Sequence, residues 1–272
     1  MKNRLLILFM ILLAGCQAAI AQNTAQISSA FFAKYPEKPS AFCTGCTIEV
    51  NPYYSTITDN KLGYSRVTYG NFTPAKEQGV IAAKVDRTKY GVWHPYPGQP
   101  DLGTYYNDIN KGIKSSTAKY AKGHYDAYIL CAYTVEGAVI SCTYVVNEGL
   151  ENQGQNAGTE GEVEALTRAL VGSKSSDAAK VKYSGPTFQK VDYWKGGWVD
   201  PGKAPTILTD KGISRVYADV YWNLLSYGGQ MHAYWFPNNI SASTGYKNYE
   251  IPVATLIQRL GFNPTKVLPA TN

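Results

Sequence analysis

The chain has 272 residues, of which 44% are hydrophobic and 17% charged, with a formal net charge of +6. That balance excludes a disordered polyelectrolyte, and the length fits one globular domain with its own core. The charge suits a polyanionic partner but selects none by itself.

The first segment reads as an address. Lys2 and Arg4 precede the apolar run Leu5 to Leu13 and then small residues, the form of an export signal. Ala19-Ile20-Ala21 offers release after Ala21, making residues 1–21 a signal peptide and 22–272 the mature domain. The expected location is then secreted or periplasmic. Leu13-Ala14-Gly15-Cys16 also has the form of a bacterial lipobox, so a membrane-anchored lipoprotein lipidated at Cys16 is the alternative. The apolar run is too short for a permanent span, which needs ~20 residues. Removing Lys2 and Arg4 lowers the net charge from +6 to +4.

Residues 30–62 show little periodicity and read as loops and short strands. Tyr64 to Tyr69 and Gly79 to Val85 read as strands. His94 to Gly103, rich in proline and glycine, reads as a loop. Tyr125 to Val135 and Ala138 to Val146 form an expected hairpin around Glu136-Gly137. Thr159 to Val171 has helical marks: a threonine cap, Glu160 and Glu162 in the first turn, Val163, Leu166 and Leu170 on one stripe, and Gly172 as a stop. Val216 to Leu225 and Gln230 to Phe236 pair around Gly228-Gly229, and Ile251 to Leu260 forms a last helix ending at Gly261. Strands and helices without regular alternation give an α+β class.

Without the leader four cysteines remain, an even number that in an exported chain argues for disulfides. The expected hairpin sets Cys131 opposite Cys142, at a Cα separation of ~4.5–5.5 Å that a disulfide accepts. Cys43 and Cys46 then close a local loop. A zinc or redox reading of Cys-Thr-Gly-Cys lacks partners in the sequence.

His124 follows Gly123 at the start of the expected hairpin, whose second strand ends at Asn147. A Gly/Asn/Gln-rich loop leads from there to the helix. The pattern Gly123-His124, hairpin, Asn147-x8-Asn156-x7-Glu164 resembles the DNA/RNA non-specific endonucleases, the ββα-metal or His-Me finger nucleases of the secreted-nuclease and endonuclease G type. VYADVYW (216–222), AYWFPNN (233–239) and YEIPVATLIQRLGF (249–262) are similar to the family's closing strands, turn and helix. The likeness covers residues 60–262. It departs from the family where Ala121-Lys122 replaces Asp-Arg, where Pro-Gln after Asn147 is lost, and where Glu160 replaces a helix tryptophan.

The resemblance implies a ββα-metal nuclease fold, a central antiparallel sheet flanked by helices, and metal-dependent hydrolysis of DNA and RNA to 5′-phosphate ends. It implies His124 as general base, Asn156 as ligand of Mg²⁺ or Mn²⁺, Glu164 as organiser of metal-bound water, Arg87 and Lys122 as cations on the phosphate, and Asn147 as a structural brace beside the site. The residue types suit that chemistry. Histidine titrates near neutrality, a hard cation offsets charge on a phosphate, and one amide oxygen can hold Mg²⁺ when phosphate and water complete its shell. His94 and His232 read as structural. The lost Asp-Arg pair and the twenty-two tyrosines leave a second expectation, a weakened nuclease scaffold that binds nucleic acid or a surface polymer without cutting it.

Overall fold

The computed structural model describes residues 24–99, 101–114, 119–144, 146–210, 212–239 and 245–270. The signal segment and Cys16 lie outside the described residues. In chain order the elements are helix α1 at 24–34, β1 Lys38–Pro39, β2 Cys46–Val50, β3 Tyr54–Asp59, β4 Tyr64–Phe72, α2 Pro74–Ala83, α3 Arg87–Tyr90 and α4 Gly103–Ile109. There follow β5 Tyr120–His124, α5 Tyr128–Cys131, α6 Val135–Ile140, β6 Glu148–Asn152, α7 Gln153–Gln155, α8 Gly161–Leu170 and α9 Ser176–Lys180. The chain closes with β7 Val191–Trp198, β8 Thr206–Asp210, β9 Ile213–Tyr217, β10 Val220–Tyr227, β11 Gln230–Pro237, β12 Glu250–Ile251, α10 Val253–Leu260 and α11 Pro264–Val267.

Eight strands form one antiparallel sheet in the order β1-β2-β3-β4-β7-β10-β11-β12. Because side chains alternate along a strand, each strand serves two cores. Trp194, Trp222 and Leu224 point to a face shared with Leu256 and Leu260 of α10. Tyr193 and Leu225 point to the other face, with Val163, Leu166 and Leu170 of α8. Gly261 ends α10 at φ 74°, a left-handed position that glycine adopts without a Cβ clash. The fold is α+β, a large antiparallel sheet flanked by helices, and the expected closing hairpin and final helix are present.

Three expectations need correction. Between Tyr125 and Asn147 the described residues form not a hairpin but a largely buried connection carrying α5 and α6, and the true partner of β5 is β6, with His124 opposite Glu148. Ala138, Val139 and Ile140 are all fully buried, so no exposed face exists for alternation to report. Thr134 caps α6 by accepting from Gly137 N at 2.9 Å. The second correction follows from the first. Cys131 and Cys142 are free thiols, because neither sits on a strand: Cys131 donates to Asp126 Oδ2 at 3.0 Å and Cys142 meets His124. Cys43 and Cys46 are disulfide-bonded, with Cα atoms 5.2 Å apart.

Third, Gly79 to Val85 belongs largely to α2, announced by Thr73 as cap and Pro74 at its first position. The expected helix from Thr159 is present, but the helical run begins at α7. Asn152 caps it by accepting from Gly154 N and Gln155 N, and a π-helical turn Asn156–Glu160 joins α7 to α8. Thr159 is buried within that turn instead of capping it.

Candidate active site

β5 and β6, followed by the helical run through α8, make a ββα unit against the sheet. His124 ends β5 and is 9% exposed. Its ring lies 4.4 Å from the Trp93 ring and its Nε2 3.6 Å from Cys142 Sγ. Burial first, then the charges of Arg87, Lys195 and Lys122, push the imidazole well below its ordinary value. It is therefore neutral at pH 7, the state in which it can take a proton. Lys122, two residues earlier on the same face of the strand, is half-buried with its ammonium 5.7 Å from the Tyr144 ring.

The opposite face of the β5–β6 ribbon carries acid. Glu151 lies so close to Gly123 that a Cβ there would come within 1.9 Å of its carboxyl carbon, which explains a glycine before the histidine. Glu151 Oε2 accepts from Asn156 Nδ2 at 3.1 Å. Lys195, from the middle of β7, donates to the His124 carbonyl, pairs with Glu160 and stands 3.6 Å from Glu151 Oε1. Burial and the neighbouring Glu160 push Glu151 well above the usual carboxylate range.

Arg87 and Glu164 meet on an open cleft of about 370 Å³, also lined by Tyr128, Ala157, Gly158, Arg168, Asp177 and Lys180. Arg87 is exposed and stacks its guanidinium 5.0 Å from the Tyr128 ring. Glu164 is half-buried; burial raises its carboxyl to about 7, against the lowering effect of Lys195 and Arg87. His124, Lys122 and Asn156 are not among the residues lining this cleft, although Asn156 immediately precedes Ala157. Arg87 acts electrostatically on both His124 and Glu164.

Asn147 lies beneath the site. Its amide donates to the carbonyls of Asp126 at 2.7 Å and Ser141 at 2.8 Å, and its oxygen accepts from Asp126 N. Asp126 in turn accepts from Tyr193 and from Cys131.

Asn156 is the residue here that suits a hard cation: with its nitrogen committed to Glu151, its oxygen makes no hydrogen bond among the described residues, whereas Glu151 Oε1 faces the Lys195 ammonium at 3.6 Å. Cys43, Cys46 and Asp59 also cluster, but the two sulfurs are bonded to each other and Asp59 accepts from Lys61 N and Leu62 N at 3.1 Å. Sequence reasoning missed Lys195, Glu151 and Glu160. One signal was available: the lysine in VDYWKGGW occupies an inward position among aromatic neighbours.

No family model matches the chain, and no curated protein sequence matches it. Among solved structures it is similar to a chain from the crystal structure of the EndoG/EndoGI complex, a work on the mechanism of EndoG inhibition. The TM-score is 0.57 over 79% of this chain and 84% of that chain, at 16% identity. The architecture is thus the one found in EndoG, the ββα-metal fold.

Proposed function

We propose that this protein is an exported, metal-dependent endonuclease that hydrolyses phosphodiester bonds in DNA and RNA and leaves 5′-phosphate ends. The observation that carries the reading is the ββα unit itself, with His124 buried at the end of β5 and with Glu164 of α8 lining one cleft together with Arg87. His124 takes the proton of the attacking water. Arg87 and Lys122 oppose charge on the phosphate as the pentacoordinate state forms. Asn156 would hold Mg²⁺ or Mn²⁺ through its amide oxygen, with Glu164 ordering the water around it. When bound, the ion supplies charge neutralisation at the phosphate and the leaving oxygen.

His124 lies outside the cleft lining, with the Trp93 ring 4.4 Å from its own and Cys142 Sγ 3.6 Å from its Nε2, so this reading requires that cover to shift when substrate enters. Contacts to backbone phosphates and not to base edges would let one cleft accept both nucleic acids. The Cys43–Cys46 bond fits an oxidising compartment, secreted or periplasmic, and no helix among the described residues is long and apolar enough to cross a membrane. An anchor at Cys16 is the alternative, decided by the mass of the mature N-terminus.

The test is incubation of the mature chain with plasmid and with RNA, with and without EDTA. Cleavage that EDTA abolishes supports the reading; cleavage indifferent to EDTA, or none, defeats it. The coverage of His124 favours one second reading, a scaffold that binds nucleic acid without cutting it. Tight DNA retention with no nicking in millimolar Mg²⁺ would select that reading.

A further inference from the structure

The carboxyl cluster between β5, β6 and β7 has no role in the chemistry above, yet it touches both proposed reacting groups. A carboxamide has one donor end and one acceptor end. Asn156 gives its donor end to Glu151 at 3.1 Å, which orients the acceptor end away from Glu151 and leaves it without a partner among the described residues. Glu151 is itself held. It is fully buried on β6 opposite Ala121, over the space that a side chain at Gly123 would fill, and 3.6 Å from the Lys195 ammonium. Lys195 also donates to the His124 carbonyl and pairs with Glu160, which closes the π-helical turn that Asn156 opens.

We propose that Glu151 is a positioning residue of the cation site: it fixes the Asn156 carboxamide with its oxygen free for a divalent ion, while Lys195 ties the same carboxyl to the backbone of His124. This rests on the reading of Asn156 as a metal ligand. Partners of this kind orient a ligand that they do not replace, and their loss typically costs about 10–100-fold in metal affinity or activity. Glutamine at 151 keeps an oxygen able to accept from Asn156; methionine keeps the volume and removes the acceptor.

Mn²⁺ binding, followed by the electron paramagnetic resonance of the free ion, tests this without any turnover. Glu151→Met and Asn156→Ala are expected to weaken Mn²⁺ binding at least about tenfold, and Glu151→Gln to stay within about threefold of the wild type. A folded Glu151→Met protein that binds Mn²⁺ like the wild type overturns the proposal, as does a wild-type chain that binds none. Should Glu151→Met fail to fold, Gly123→Ala presses on the same carboxyl from β5. Weaker Mn²⁺ binding by that variant is then expected, and unchanged binding overturns the proposal. Plasmid assays on the same samples separate the two ideas. Mn²⁺ binding that responds to Glu151 without any cleavage sinks the nuclease reading alone; EDTA-sensitive cleavage with binding indifferent to Glu151 sinks this inference alone.

Discussion

Two rows of side chains cross the central sheet one residue apart and do opposite things. On one face Tyr69, Trp194, Leu224 and Ala233 stand in register and pack against α10, an apolar row sealed from water. On the other, Glu49, Thr56, Thr68, Lys195 and Asn223 stand in register, all buried and all polar. Thr56 and Thr68 share a hydrogen bond of 2.8 Å, and Lys195 reaches the ββα unit. Burying a charge is unfavourable unless it is paired, so Lys195 in the second row depends on its carboxylate partners, whereas the first row is held by area alone. The difference teaches where stability and chemistry reside: the same strands β7 and β10 carry an apolar core on one face and, on the other, a second core with the candidate site's polar support set into it.

Substitutions on each side can break or sharpen that division. The largest expected effect is on the polar side. His124→Ala should lower the nicking rate by about 10²–10⁴-fold, the usual contribution of a general base. A fully active variant would remove the chemistry from this face. Next, Trp222→Ala on the apolar side should cost about 3–5 kcal/mol of unfolding free energy by urea titration, with Mn²⁺ affinity unchanged in the folded protein. A loss of metal binding there would show that the two faces are not separable.

The pH profile gives a smaller, graded test. Glu164, raised to about 7 chiefly by burial in the metal-free chain, must be ionised to order metal-bound water; a bound cation favours that ionised form, so the rate should climb with pH through a limb at or below about 7. His124 is lowered well below its ordinary value by burial first, so any limb it adds lies at more acid pH than that of an ordinary histidine. Glu164→Gln should lower the rate and abolish the limb. A limb that persists in the variant would assign it to another group.

The mildest effect concerns the far end of the polar row. Burial raises Glu49 to about 8, partly offset by its hydrogen bond from Asn51. A carboxyl whose folded value lies above its unfolded one contributes stability that is fully present below the unfolded value and lost as pH rises through the folded one. Glu49→Gln should therefore melt like the wild type near pH 4 and higher than it at pH 9. Equal melting temperatures at pH 9 would mean that the polar row tolerates an unpaired charge.

The readable parts of the fold were those with local grammar. β10, β11 and their Gly228-Gly229 turn, α10 with its terminal Gly261, and the body of α8 each announce themselves within about a dozen residues. The connection from Tyr125 to Asn147 did not, because most of its described residues are buried and the short helices α5 and α6 leave no sustained periodicity, and with it went the pairing of Cys131 with Cys142. In the candidate site, the spacing from His124 through Asn156 to Glu164 marked a ββα unit, and Arg87 does share a cleft with Glu164. Lys195 escaped because one lysine in a strand has no motif.

By itself, then, the sequence determined the α+β class, the closing hairpin and helix, and the order in which histidine, amide and carboxylate follow one another, since each depends on neighbours along the chain. Only the tertiary structure decided that β5 pairs with β6, that two cysteines stay free, and that Lys195 meets a carbonyl 71 residues away. Those outcomes depend on which buried polar groups find partners across the fold, a condition that no local pattern encodes.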